Sequence, residues 1–132
     1  MAKVLGAGGV FFKCRDKEAT KAWYAEKLGF DIADWGGVAF NFGKPGDPGD
    51  PRHRGAFVWS PFAADTNYFD PGTRDFMINF RVDDLDAFLV ELKAKGVEPV
   101  GRDDSDPSGR FAWIVDPDGI KIELWEPPLS KA

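Results

Sequence analysis

Two stretches of the chain alternate apolar and polar positions, and each leads into a helix-like pattern. Val10, Phe12 and Cys14 alternate with Phe11 and Lys13 as a strand with two unlike faces would, and Ile78, Phe80 and Val82 do the same further along. After the first stretch, Asp16 fits an N-cap for a helix carrying Ala19, Ala22 and Trp23 inward until Gly29 stops it. After the second, Asp83 can cap, and Leu85, Phe88, Leu89 and Leu92 fall at i, i+3, i+4 and i+7 until Gly96. Short strand candidates follow each helix: Val38 to Phe42 and Ala56 to Trp59, then Phe111 to Val115 and Ile120 to Trp125. Asp116-Pro117-Asp118-Gly119 joins the last pair as a type I turn, with proline at i+1 and glycine at i+3. Each half thus reads β-α-β-β-β. Two segments read as loops: 43–54, dense in Pro and Gly, and 61–75, which carries Phe62, Tyr68 and Phe69. Those aromatics serve equally well to cover a site or to pin the loop to the body.

The halves are related. At an offset of 68, Phe12-Lys13 falls on Phe80-Arg81, Asp16 on Asp84, Ala19 on Ala87 and Lys27 on Lys95. A repeated unit in so short a chain buries both copies most simply as a pseudo-symmetric pair, with any site between them. The expected units run from about 5 to 62 and about 74 to 128, within one domain spanning 1–132.

Composition narrows the function classes. With 132 residues, 43% hydrophobic, 12 Phe and 5 Trp, the chain can fill a core without disulfides or structural metals. Its lone cysteine, Cys14, can form no internal disulfide, and its helix-facing parity makes it a buried, inert thiol rather than a nucleophile. No apolar run reaches membrane-spanning length and no cleavable leader is evident, so a cytoplasmic location follows by default. A net charge of −5 without a Lys/Arg cluster argues against nucleic acid as a partner. No nucleophile elbow or P-loop is present, and Gly6-Ala7-Gly8-Gly9 precedes a strand rather than opening a helix.

Two segments resemble the vicinal oxygen chelate superfamily, which includes glyoxalase I, extradiol dioxygenases and the fosfomycin- and bleomycin-resistance proteins. Residues 22–30, Ala-Trp-Tyr-Ala-Glu-Lys-Leu-Gly-Phe, look like its first-helix signature, and residues 116–124, Asp-Pro-Asp-Gly-Ile-Lys-Ile-Glu-Leu, like its C-terminal hairpin. The resemblance implies an α+β fold: two tandem βαβββ modules whose strands form a curled mixed-sheet cup, commonly as a homodimer. Function stays open, because this scaffold hosts isomerases, lyases, oxygenases and proteins that only bind.

Strand parity then sorts the residues. If Val10, Phe12 and Cys14 meet the helix, Gly9, Phe11 and Lys13 face the cup; likewise Met77, Asn79 and Arg81, and Lys121, Glu123 and Trp125. Matching Gly55 to Gly119 adds Phe57 and Trp59. In the metal-dependent relatives, four cup-facing strands hold a divalent ion; the resemblance puts Gly9, Trp59 or Ser60, Met77 and Glu123 at those positions, and only Glu123 is a usual ligand. The single histidine, His53, sits between Arg52 and Arg54, reads as a solvent-exposed loop residue, and cannot supply two imidazoles. Neither a metal nor another cofactor is therefore expected.

The expected binding set is Phe11, Lys13, Phe57, Trp59, Asn79, Arg81, Lys121, Glu123 and Trp125, taking a small aromatic or carboxylate-bearing molecule. An acidic pI and five tryptophans suit a cationic ligand, as in the bleomycin-resistance branch, whereas the three cations placed in the cup oppose it. Alternatives are a lyase, isomerase or dioxygenase with an atypical metal site or with Glu123 as general base, and a regulatory protein whose cup is filled by side chains. Glu123 could also simply neutralise Arg81 or Lys13.

Overall fold

The computed structural model describes residues 2–42 and 55–128; His53 and the 43–54 loop lie outside them. Strand β1 (Val4–Cys14) leads to helix α1 (Lys17–Leu28), β2 (Val38–Asn41) and β3 (Ala56–Ala63). Strand β4 (Phe76–Val82) leads to α2 (Leu85–Ala94), β5 (Gly101–Asp103), β6 (Arg110–Val115) and β7 (Lys121–Glu126). The second half is thus βαβββ; in the first, no strand forms between α1 and β2.

One mixed sheet holds all seven strands in the order β2-β3-β1-β4-β7-β6-β5. β1 pairs antiparallel with β4 at its centre, while β3 and β7 lie parallel to β1 and β4 on either side. The arrangement is the pseudo-symmetric pair the repeat implied, curled into an α+β cup. The two helices begin at the same offset as the sequence repeat. Asp16 and Asp84 are both extended, and each accepts from the backbone N of the residue three on, Ala19 and Ala87, at 3.1 Å. The second cap is Asp84 rather than the expected Asp83.

The helices cover one face of the sheet. Under α2, Val82, Leu85, Ala112 and Leu124 are buried, with Phe88, Leu89 and Leu92 packed on them, as the four-residue stripe required. Helix α1 departs from expectation. Ala19, Ala22 and Trp23 are exposed, and Tyr24 turns inward instead, its ring 4.5 Å from that of Trp59 and 5.3 Å from that of Phe30. The hairpin turn forms as read: Gly119 N donates to Asp116 O at 3.1 Å, with Gly119 at φ +83°. β3 runs four residues beyond the Ala56–Trp59 candidate, so the following loop shortens to a strap over 64–75 that carries Tyr68 and Phe69.

Candidate functional site

The face away from the helices lines a cavity of about 660 Å³. Sheet register sets which side chains reach it. Gly9 stands level with Val58 and Asn79, Asn79 with Glu123, and Glu123 with Trp113, so one row crosses β3, β1, β4, β7 and β6. Asn79, Glu123 and Trp113 form the polar floor. Phe111 and Trp125 extend one wall, their rings parallel within 3° and 6.0 Å apart. Phe11, Phe62, Val58, Ala56 and Ala39 line the opposite side, and Trp35, Asp103, Asp106 and Ser108 stand at the rim.

Glu123 is 4% exposed and receives three neutral donors. Asn79 Nδ2 donates to Oε1 at 2.6 Å; Trp113 Nε1 and the Tyr68 hydroxyl donate to Oε2 at 2.8 and 3.1 Å. Burial pushes the carboxyl above the usual carboxylate range; the three hydrogen bonds and the nearby Lys121 ammonium offset that only in part. The phenol of Tyr68 is raised as well, first by its own burial and then by facing this carboxylate. Asn79 fits here because β1 bulges at its glycines: a Cβ on Gly8 would fall on Asn79 Oδ1. That oxygen is buried without a hydrogen-bond partner.

Of the expected binding residues, Phe11, Asn79, Glu123 and Trp125 line the cavity. Lys13, Arg81 and Lys121 share their sheet face but not the cavity lining. Lys13 Nζ lies 5.9 Å from the centre of the Phe69 ring, and the Arg81 guanidinium lies 4.4 Å over Phe42. Lys121 Nζ donates to the Tyr68 carbonyl at 2.7 Å, under the Tyr68 and Trp113 rings. Neither Arg81 nor Lys13 pairs with Glu123. Phe57 and Trp59 are on the opposite face, where Trp59 packs against Phe12, Tyr24 and Phe30. The physical reason is a one-residue register difference, which exchanges the two faces of a strand. Gly9 pairs with Val58 and Met77 with Lys121, so Val58 rather than Phe57 corresponds to Lys121.

Trp113, Phe111 and Tyr68 were absent from the expected set. The first two could have been found by carrying the hairpin register across the Asp116–Gly119 turn, which puts Trp113 opposite Glu123. Tyr68 had no such signal beyond being an aromatic in a long loop.

This curled sheet and its cup are those of a known family. The chain belongs to the Glyoxalase/Bleomycin resistance protein/Dioxygenase superfamily, whose sequence model matches residues 10–124. It is 30% identical over 123 residues to the uncharacterized protein YwkD of Bacillus subtilis (strain 168), covering 86% of this chain and 90% of that one. Among solved structures, it is similar to methylmalonyl-CoA epimerase from Mycobacterium tuberculosis, with a TM-score of 0.59 and 24% identity over 95% of this chain and 89% of the other. A Streptomyces coelicolor methylmalonyl-CoA epimerase in complex with 2-nitronate-propionyl-CoA aligns at TM-score 0.69 with 16% identity, over 98% and 100% of the two chains. The 2,3-dioxygenase LapB of Pseudomonas sp. KL28 aligns at 0.60 with 23% identity, over 94% of this chain and 41% of that one. At these identities the structural likenesses define the fold.

A divalent ion, as the metal-dependent members imply, fits these residues poorly. Of the positions the resemblance gives, Gly9 has no side chain and Met77 only a thioether, and the observed register makes Ser60 the counterpart of Glu123, which leaves one carboxylate and one hydroxyl. Among the described residues, no three of His, Cys, Asp and Glu converge. No described helix is long and apolar enough to cross a membrane.

Proposed function

We propose that the chain binds a small planar organic molecule in the sheet cup, held by ring stacking and hydrogen bonds without a metal. The observation that carries this is the cavity itself: aromatic walls on both sides converge on one buried, hydrogen-bonded carboxyl group. Of the expected set, Phe11, Asn79, Glu123 and Trp125 are assigned to the ligand, joined by Trp113, Phe111 and Tyr68; Phe57 and Trp59 are assigned to packing. Calorimetric titration of a library of planar aromatics, with and without chelator, tests the reading. One-to-one binding unchanged by chelator supports it, and binding that needs an added divalent metal overturns it. A homodimer in the cytoplasm is the setting we infer.

A second reading is favoured by one observation. The burial that raises the Glu123 carboxyl suits it to act as a general base near neutral pH, which would make the protein an enzyme of this superfamily. In that case Glu123→Gln lowers turnover by about two to four orders of magnitude, far more than it weakens binding. Parallel losses of turnover and binding would count against it.

A further inference from the structure

The geometry points to a planar cation with its own N–H donors as the ligand of this cup; the inference rests on the binding reading above and specifies its charge. It follows from an inventory of donors and acceptors. Three donors at the cavity floor, Asn79 Nδ2, Trp113 Nε1 and the Tyr68 hydroxyl, are all committed to Glu123, and the indole N–H of Trp125 is committed to Ser108 O at 2.8 Å. The acceptors exceed the donors. As a carboxylate, Glu123 has four lone-pair sites and three donors; Asn79 Oδ1 also lacks a donor but is buried beside Gly8, out of a guest's reach. Asp103 and Asp106 add carboxylates to the lining, and the hydrogen bonds Asp103 takes from Ser105 hold it below the usual carboxylate range.

The charges agree with this inventory. Glu123, Asp103 and Asp106 line the cavity, and among the described residues no Lys or Arg does. Lys121, the cation nearest the floor, is 9% exposed and lies behind Tyr68, held to its carbonyl. At a pH where Glu123 is ionised, a carboxylate-bearing guest would thus meet acceptors and negative charge without a free donor among the described residues. A flat cation would stack on Phe111 and Trp125, gain from the ring faces, and donate to the carboxylate oxygens of Glu123 at the floor and of Asp103 and Asp106 at the rim.

Proflavine is a flat tricyclic cation with amino N–H groups, N-methylacridinium is the same shape and charge without N–H donors, and anthracene carboxylate is an anion of similar size. In calorimetric titrations we expect proflavine to bind about tenfold or more tighter than anthracene carboxylate, with N-methylacridinium between them. Glu123→Gln should weaken proflavine about tenfold and leave the anion unchanged. Should that variant not fold, the rim double substitution Asp103→Asn with Asp106→Asn gives a separate test, with proflavine weakened several-fold. Equal or tighter binding of the anion overturns the cation assignment while leaving the cup as a binding site. Equal binding of N-methylacridinium and proflavine overturns the N–H requirement. If none of the three binds, the broader reading falls as well.

Discussion

A carboxyl group that is almost wholly buried among neutral donors responds to pH in a way that can be measured directly. Because burial raises the proton affinity of Glu123 in the folded chain, the folded state keeps a proton that the unfolded chain has released above its ordinary value of 4.5. Stability from this group is therefore full below 4.5 and declines as pH rises through the folded value. We expect Glu123→Gln to be at least as stable as the parent at pH 7, with the difference shrinking toward pH 4.5; urea unfolding at a series of pH values checks it, and comparing the two proteins cancels all other titrations. Tyr68→Phe removes one of the three donors. It should cost about 1 kcal/mol and move upward the pH at which the Trp113 indole N–H resonance shifts, as followed by NMR.

At the scale of elements, β3 divides its aromatic residues between two jobs. Trp59, 6% exposed, fixes α1 to the sheet through Tyr24 and Phe30, while Phe62 on the other face stacks with Tyr68 at 5.5 Å. Trp59→Ala should cost about 3–5 kcal/mol in chemical denaturation and leave ligand affinity in the surviving folded fraction unchanged. Trp113→Ala should do the reverse, weakening the ligand more than the fold. This division was the part of the site least legible in the sequence. Strands β1, β4 and β7 alternate cleanly, and the parity of Phe11, Asn79 and Glu123 follows from them. β3 carries large apolar residues on both faces, so alternation cannot orient it, and only its pairing of Val58 with Gly9 does. Helix α1 was obscured for a related reason. Trp23 and Tyr24 are adjacent aromatics, and the choice between them depends on where Trp59 and Phe30 lie. Helix α2, with its four-residue apolar stripe, needed no such information.

For the whole molecule, the repeat foretold the architecture but not its asymmetry. Asp16 and Asp84 keep equal caps, yet the first half has no counterpart of β5 among the described residues and leaves Trp23, Trp35 and Phe40 exposed at 52%, 56% and 43%. Association with a second copy would cover exposed apolar side chains of this kind. We expect sedimentation velocity to show a species of twice the 14.6 kDa chain mass, diluting to monomer if the contact is weak. A single monomeric boundary at high concentration would remove the homodimer from the proposal.

The crosswise row over the sheet separates two properties that most binding pockets entangle. Hydrogen-bonding identity resides in β4, β6 and β7, through Asn79, Trp113 and Glu123, whereas β2 and β3 line the cavity with the apolar side chains of Ala39, Ala56, Val58 and Phe62. Replacing these with bulkier or slimmer residues would tailor which guest sizes are admitted while leaving the proton-sharing group untouched. Selectivity for shape at that wall would therefore drift independently of selectivity for charge, which is written in the second half of the duplicated chain.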